Sequence, residues 1–229
     1  MRTVWVFGDQ LNRRIGALAA AEPRDTRVLL VESDALLRSG KHVQRLHLVI
    51  SAMRRFAREL TAEGFEVDLR RAPTLAAGLH AHIADHGPDD VVATEPNARA
   101  ARALCRRLSV EQLRSDQFLC HPDDFARWAD GRKALRMEDF YRWQRQRLDY
   151  LMDGEAPVEG RWNFDQDNRQ PPPEDPAIFS RPPQSTLDQL DEAVLAGLPD
   201  ATGRQPIGLW ATSRTEALAR LEHFLDREL

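Results

Sequence analysis

Apolar positions in the first 150 residues follow two alternating patterns, short β-rich runs and longer stretches with helical spacing. The runs are rich in β-branched side chains, which is typical of strands buried on both faces of a parallel sheet. Between them, apolar residues recur at helical spacing, most clearly from Leu46 to Leu60, and Gly64 follows as a predicted C-cap. Strands are predicted at residues 4–7, 27–31, 66–69, 90–94 and 117–120, and further helices at 74–86 and 98–108.

This alternation of strands and helices predicts an α/β fold with right-handed crossovers. We expect a five-stranded parallel, doubly wound sheet of the Rossmann-like type, with strand order 3-2-1-4-5, within residues 1–130. A proline-rich stretch from Pro171 to Pro183 then disfavours regular helix and sheet. Residues 131–186 are therefore predicted to form a helix and an extended linker. Residues 187–229 are predicted to form short helices, at 187–198 and 214–225.

Composition places the chain among ordinary globular proteins. Hydrophobic residues make up 42% and charged residues 30% of the 229 positions, and a chain of this length buries a substantial core without disulfide bonds. The net charge of −4 argues against a general polyanion-binding surface.

No apolar run approaches the roughly 20 residues of a membrane helix, and the N-terminus lacks a signal-peptide pattern, so we expect a cytoplasmic protein. Two cysteines are too few for a disulfide framework or a cysteine-ligated cluster.

Polar residues stand at the ends of several predicted strands, at positions 8–10, 32–33 and 94–95. In a doubly wound sheet, ligands bind outside the carboxyl ends of the strands, where the strand order reverses. Each of these residues taken alone has a common alternative role, since Asp9 and Ser33 are residue types that cap turns and helices. Three polar strand ends in one sheet nevertheless favour a pocket at this edge.

Motifs for nucleotide or metal binding are weak in this sequence. There is no Gly-x-Gly-x-x-Gly after the first strand and no Gly-x-x-x-x-Gly-Lys-Ser/Thr segment, so the usual phosphate cradles are not expected. His82 and His86 have the spacing of two metal ligands on one helix face, but no Glu stands beside them, and we predict a solvated histidine face without metal. Cys105 lies among arginines and is predicted to be a buried structural cysteine. No nucleophile-elbow motif supports Ser-His-Asp catalysis.

Several segments of the chain together match one family. They are Val-Phe-Gly-Asp-Gln-Leu at residues 6–11, Ser-Ala-Met-Arg-Arg-Phe at 51–56, Thr-Glu-Pro at 94–96, Gly-Arg-Lys-x-Leu-x-Met-Glu-x-Phe-Tyr-Arg at 131–142 and Gly-Arg-Trp-Asn-Phe-Asp at 160–165. In order and spacing they resemble the N-terminal half of the bacterial iron–sulfur branch of the cryptochrome/photolyase family. This branch is also called the deoxyribodipyrimidine photolyase-related proteins or prokaryotic (6-4) photolyases. The resemblance extends along nearly the whole chain, and the last two segments are the most specific.

The resemblance implies a light-dependent DNA-repair or photoreceptor protein. Members of this branch have an N-terminal α/β domain that binds the antenna chromophore 6,7-dimethyl-8-ribityllumazine, a long linker, and a C-terminal helical domain. That helical domain binds FAD and a cysteine-ligated [4Fe-4S] cluster and repairs ultraviolet lesions. Because this chain stops at Leu229, residues 187–229 are interpreted as the start of a missing FAD-binding domain. The chain is therefore predicted to be the antenna region, unable to repair DNA alone, with FAD and the cluster expected only in a full-length protein.

The resemblance and the polar strand ends together predict a chromophore pocket. A ribityllumazine is a flat bicycle with a polyol tail, so it needs an apolar slot, polar partners and close approach of the backbone. No catalytic or metal-binding residue is predicted. The predicted cofactor-binding residues are Gly8, Asp9, Gln10, Leu11, Glu32, Ser33, His42, Leu46 and Ile50.

The partners of the chain are predicted from the same resemblance. Trp162 and Phe164 stand among charged residues. They could form a satellite core under a long loop, or a surface that docks the missing C-terminal photolyase domain. The resemblance favours the docking surface. Damaged DNA is expected to bind only through that domain, no membrane partner is expected, and an exposed linker surface would support self-association. Two alternatives stay open. One is a stand-alone module for a nucleotide- or flavin-related ligand, and the other is an α/β enzyme with Asp9, Glu32 or Glu95 as acid–base groups.

Overall fold

A computed structural model describes residues 1–165, 169, 171, 174, 183–199 and 202–227. The chain divides into two compact units, the first made of Met1–Gln117 with Arg181–Leu229 and the second of Phe118–Ser180. The predicted proline-rich extended stretch lies largely outside the described residues and stays a prediction. Among the described residues, no helix combines the length and the apolar character needed to cross a bilayer.

The first unit is built on one parallel sheet. Its strands are β1 (Arg2–Val6), β2 (Thr26–Ser33), β3 (Glu66–Ala72), β4 (Val91–Thr94) and β5 (Glu111–Leu113). They lie in the order β3-β2-β1-β4-β5, which confirms the predicted α/β fold and strand order. Val4 at the centre of the sheet pairs with Val28 of β2 and Val92 of β4, and all three side chains are buried. Strands buried in this way explain the continuous apolar runs in the sequence.

The fifth strand differs from the prediction, and the strand predicted at residues 117–120 is wrong. The observed β5 pairs with β4 at the edge of the sheet, with Leu113 opposite Thr94. A three-residue edge strand pairs on one side only, and its sequence Glu-Gln-Leu carries no apolar run by which it could be recognised. Phe118 and Leu119 suggested the strand, yet these side chains are 63% and 62% exposed.

Helices pack against both faces of this sheet and carry recognisable end signals. They are α1 (Gly16–Ala19), α2 (Asp34–Leu37), α3 (Val43–Ala62), α4 (Leu75–His86) and α5 (Arg99–Arg107). Thr74 begins α4, because its side chain accepts a hydrogen bond from the Ala77 amide at 3.1 Å. Gly87 ends α4 at a φ of +52°, and Gly64 follows α3 at a φ of +94°. The helices predicted at 46–60, 74–86 and 98–108 are thereby confirmed.

Side chains on alternate positions of the central strands form two hydrophobic cores. Val4 and Val6 of β1 face a core that includes the apolar side of α3. Trp5 and Phe7 face the opposite core, which Leu79 of α4 and residues of α5 complete. This two-sided burial follows from the period of two along a strand. The same alternation determines on which face of the sheet each residue at the carboxyl end of a strand lies.

The described C-terminal segments belong to the first unit. They contain α8 (Gln189–Gly197) and α9 (Arg214–Arg227). Helix α8 packs on α3, where His47 Nε2 lies 3.0 Å from Asp191 Oδ1 and Arg55 Nη2 lies 2.8 Å from Asp191 Oδ2. No residue described in α9 is buried. The interpretation of 187–229 as the start of a further, FAD-binding domain stays a prediction.

The second unit has its own aromatic core. It contains α6 (Pro122–Ala129), α7 (Met137–Leu148) and a short hairpin of β6 (Met152–Asp153) and β7 (Ala156–Pro157). The ring of the buried Trp128 lies 5.0 Å from that of Phe140 and 6.0 Å from that of Trp143. Buried Arg145 donates hydrogen bonds to the carbonyls of Trp162 and Tyr150, at 2.9 and 3.1 Å. These bonds tie Trp162 to helix α7.

Candidate functional site

A cavity of about 420 Å³ opens at the carboxyl ends of β1 and β2. Its volume lies within the range of roughly 300–1,000 Å³ that is usual for small-molecule sites. The two strands are neighbours at the centre of the sheet, next to the point where the strand order reverses. The cavity is lined by Val6, Phe7, Gly8, Asp9, Val31, Glu32, Ser33, Leu36, Leu37, Lys41, Arg45, Leu46, Val49, Ile50, Met53, Leu75, Ala98, Ala100, Ala101 and Leu104.

Six of the nine residues predicted from the sequence meet at this cavity. They are Gly8, Asp9, Glu32, Ser33, Leu46 and Ile50. Gly8 has little space around it, because a Cβ added there would lie 3.0 Å from Val49 Cγ1 and 3.1 Å from Met53 Sδ. Both of those side chains line the cavity, so a glycine at position 8 keeps the slot open between β1 and α3.

A charged pair holds the buried carboxylate of the cavity wall. Arg54 on α3 donates from Nε to Glu32 Oε1 at 2.7 Å and from Nη2 to Oε2 at 2.9 Å. The side chain of Glu32 is 5% exposed, and the hydrogen bonds between the pair raise the pKa of Arg54. Because an ionised carboxylate has about four acceptor positions, this bidentate contact leaves room for a ligand donor.

Ser33 follows Glu32 at the end of β2 and is 4% exposed. It occupies the N-cap position of α2, but its side chain makes no capping hydrogen bond. The alternative role weighed for this residue, that of a helix cap, is therefore not the one its hydroxyl performs. A buried hydroxyl at the cavity wall can donate to or accept from a polar group of a ligand.

Asp9 and Gln10 take different roles although they are adjacent. Asp9 is exposed at the cavity, and its Oδ2 accepts a hydrogen bond from Asn97 Nδ2 at 3.1 Å. Gln10 is buried and does not line the cavity; its Nε2 donates to the carbonyls of Thr94 and Glu95, at 3.2 and 3.1 Å. Gln10 thus ties the loop after β1 to the end of β4, a task that residue type alone does not distinguish from ligand binding.

Leu11 and His42 also lie outside the residues that line the cavity. Leu11 packs against the hydrophobic core that includes α3. His42 is the N-cap of α3, where its Nδ1 accepts a hydrogen bond from the Gln44 amide at 3.2 Å, and its ring packs against Gly203. Its position at the start of α3 was correctly predicted from the sequence, but its ring lies against Gly203 of the C-terminal segment and not at the cavity.

Two basic residues at the cavity were missed from the sequence. Lys41 precedes α3, and Arg45 lies in its first turn. The sequence contained a usable signal for Arg45. This residue is four positions before Val49, so the two side chains share one face of α3. The small residues Ala98 and Ala101 were missed for a different reason, since alanine carries no chemistry that marks a binding site.

The acid–base interpretation receives little support from the geometry. Glu32 is paired with Arg54, and Glu95 accepts a hydrogen bond from Arg102 Nη1 at 3.1 Å. Each of these two carboxylates is thus already hydrogen-bonded to a guanidinium group. Burial raises the pKa of the Cys105 thiol to about 11, as expected for the predicted structural cysteine and not for a nucleophile.

The predicted solvated histidine face is wrong for His82. This residue is fully buried, with Nε2 2.8 Å from Thr3 Oγ1 and Nδ1 2.6 Å from Asp68 Oδ2. His80 and His86 are exposed as predicted. His82 lies three positions after the buried Leu79, on the buried face of α4, where Thr3 and Asp68 supply its hydrogen-bond partners.

Comparison with known proteins gives the same assignment over nearly the whole chain. A sequence model of the family described as "Deoxyribodipyrimidine photo-lyase-related protein" matches residues 4–206, which include all of the sheet except the first two residues of β1 and every residue at the cavity. A protein of Agrobacterium fabrum (strain C58 / ATCC 33970) named "(6-4) photolyase" is 34% identical over 239 aligned residues, covering 97% of this chain and 47% of that protein. The chain thus spans about half the length of the curated relative it matches. It belongs to the family of deoxyribodipyrimidine photo-lyase-related proteins.

Proposed function

We propose that this chain is the N-terminal light-harvesting region of a photolyase-like protein and that its cavity binds a ribityllumazine-type chromophore. The observation that carries the proposal is the cavity itself, an apolar slot with a few polar groups at the carboxyl ends of β1 and β2. Such a combination suits a flat heterocycle with a hydroxylated tail. The family to which the chain belongs supports the choice of ligand class.

The residues at the cavity fit 6,7-dimethyl-8-ribityllumazine in kind. Leu46, Val49 and Ile50 on α3 provide apolar contacts for a ring, and Gly8 lets the backbone approach it. Ser33, Glu32 and Asp9 offer donors and acceptors for the ring edge and the hydroxyl groups. When bound, the chromophore would absorb light and pass the excitation to an acceptor. The part played by this chain is to hold the ring in one place and keep water away from it.

The other cofactors of the family do not fit this chain. A [4Fe-4S] cluster of the family type requires four cysteine ligands, and the sequence contains two cysteines. The curated relative is about twice as long as this chain, and we assign FAD, the cluster and lesion repair to the part that has no counterpart here. Residues 1–229 on their own are accordingly proposed to be inactive in repair, and damaged DNA to bind through the part of the relative that lies outside the aligned region.

The second unit offers a surface for that domain. Trp162 lies under two guanidinium groups, those of Arg142 and Arg145, at 5.2 and 5.3 Å from the ring centre. Phe164 stays 37% exposed beneath Arg161. The partly exposed ring of Phe164 beside charged side chains suits a docking surface, so we propose that a C-terminal photolyase domain docks in this region and that the surface supports self-association where that domain is absent.

Lys41 and Arg45 favour a second candidate function. A neutral polyol needs no cation, whereas both of these side chains line the cavity. Their charge suits a phosphate, as in a flavin mononucleotide or another nucleotide-related ligand. In that case the chain is a stand-alone binding module for a phosphorylated ligand.

Ligand titration separates the two candidates. The purified chain is titrated with 6,7-dimethyl-8-ribityllumazine and, in parallel, with flavin mononucleotide, and binding is followed by fluorescence. We expect saturable binding of the lumazine. Binding of the flavin nucleotide alone would favour the second candidate, and binding of neither ligand would contradict both.

A pair of glycine variants locates the ligand. Gly8→Val places a branched side chain against Val49 and Met53, so it should weaken lumazine binding by at least about tenfold, or roughly 1.4 kcal/mol. Gly197→Val on α8 is the matched control, because a Cβ there meets only Arg71 Nη1 at 3.9 Å. Equal binding by both variants would place the ligand outside this cavity.

A further inference from the structure

Asp68, His82 and His86 form a compact group that plays no part in the cavity. Asp68 lies on the edge strand β3, and the two histidines are one turn apart on α4. His82 Nδ1 is 2.6 Å and His86 Nε2 is 3.5 Å from Asp68 Oδ2, and the three potential ligand atoms all lie within 4.8 Å of one another. Because these residues are separate from the cavity, what they bind does not depend on the proposed function.

We propose that this group binds a divalent transition-metal ion of the Zn²⁺ class, with Asp68 Oδ2, His82 Nδ1 and His86 Nε2 as ligands. Imidazole nitrogen and carboxylate oxygen are ligand types that Zn²⁺ accepts, and two histidines four positions apart on a helix present their rings to one ion. The third ligand comes from a strand, which explains why no Glu beside the histidines was needed. Three protein ligands leave one position for water.

Thr3 can accommodate the tautomer that this coordination requires, because its hydroxyl both donates and accepts. His82 Nε2 lies 2.8 Å from Thr3 Oγ1, and both side chains are fully buried. In the metal-free chain Nδ1–H donates to Asp68 Oδ2 and Nε2 accepts from the Thr3 hydroxyl; when an ion takes Nδ1, the proton moves to Nε2, from which the same hydroxyl can accept. Metal-bound histidines usually donate a hydrogen bond from their second ring nitrogen in this way.

Arg70 opposes the metal and gives the proposal a sharp test. Its Nε lies 3.0 Å from Asp68 Oδ1 and 2.9 Å from Oδ2, and its Nη2 is 3.1 Å from Asp85 Oδ2. An incoming cation must take Oδ2 from this guanidinium, while Oδ1 can stay bonded to it. The positive charge of Arg70 also repels the ion. Replacing Arg70 by a neutral residue should therefore tighten metal binding rather than weaken it.

Zn²⁺ itself is the probe, titrated into the complete, chelator-treated chain against a chromogenic competitor. The wild type should bind one equivalent and unfold at a higher temperature when loaded. His86→Ala removes an exposed ligand without disturbing the core and should weaken affinity by at least about tenfold. His80→Ala, at an exposed histidine of the same helix, is the matched control and should change affinity less than about twofold.

Further readouts separate this metal site from a hydrogen-bonded network that holds no ion. Arg70→Met should bind Zn²⁺ more tightly than the wild type, and Co²⁺ in the same site should give the visible absorption of a low-coordinate N/O site. Unfolding of the metal-free His86→Ala variant should match that of the wild type. The proposal is overturned if the wild type binds no Zn²⁺, if His86→Ala and His80→Ala bind it equally, or if Arg70→Met weakens binding.

Discussion

The ion pair at the cavity wall makes a quantitative prediction about stability. Arg54→Met keeps an unbranched apolar stem but removes both hydrogen bonds to Glu32, leaving a carboxylate that is 5% exposed without its counter-charge. Losing one partner of a fully buried pair costs about 3–5 kcal/mol. The Arg54 side chain is 29% exposed, so water can reach the orphaned carboxylate, and we expect a smaller loss, about 2–3 kcal/mol.

Urea unfolding at pH 7 measures this loss, with Arg58→Met as the matched control. Arg58 lies one turn further along α3 and is exposed, so its replacement should change the free energy of unfolding by less than about 0.5 kcal/mol. Adding Glu32→Gln to Arg54→Met removes the uncompensated charge and should recover about half of the loss or more. Arg54→Met as stable as the control, or no recovery in the double variant, would refute the view that Glu32 depends on Arg54.

Three further predictions concern other parts of the chain. Gly78→Ala should destabilise the chain by about 1–3 kcal/mol, because the Cβ of the new alanine would lie 2.5 Å from Val31 Cγ1. This loss would be measured as a lower thermal midpoint, and an unchanged midpoint would contradict the close packing of α4 on β2. Iodoacetamide at pH 8 should label Cys120 and spare Cys105, because burial raises the pKa of the Cys105 thiol to about 11. Equal labelling of the two cysteines in the native chain would be inconsistent with that burial. Burial lowers the pKa of His82, so the unfolded chain binds a proton at this ring more tightly than the folded chain does. The free energy of unfolding should therefore fall as the pH drops below about 6.5. Urea midpoints that stay constant between pH 7.5 and 5.5 would contradict this prediction.

The sequence predicted the sheet well wherever burial on both faces imposed a continuous apolar run. The first four strands and the strand order were read correctly, and Thr74 and Gly87 marked the ends of α4. The fifth strand failed because an edge strand is held mainly by backbone hydrogen bonds, which leave no mark on side-chain pattern. The exposed apolar pair Phe118 and Leu119 then attracted the prediction.

The candidate site was only partly predictable, because residue type does not reveal the direction of a side chain. Asp9 and Gln10 are adjacent and both polar, yet one lies at the cavity and the other bonds to backbone carbonyls at the end of the neighbouring strand β4. His42 looked suited to a ligand at a helix start and instead caps that helix. The buried state of His82 depends on Asp68, which lies in a different element. Such pairings arise only when strands and helices are packed together.

A structure of the complex with 6,7-dimethyl-8-ribityllumazine tests the central claim most directly. Crystals of the chain grown with this ligand should show electron density for the ring in the cavity at the carboxyl ends of β1 and β2, in contact with Gly8 and Ile50. The polyol tail should lie within hydrogen-bonding distance of at least one of Asp9, Glu32 and Ser33. Clear ligand density elsewhere on the chain, with this cavity filled by water, would contradict the account.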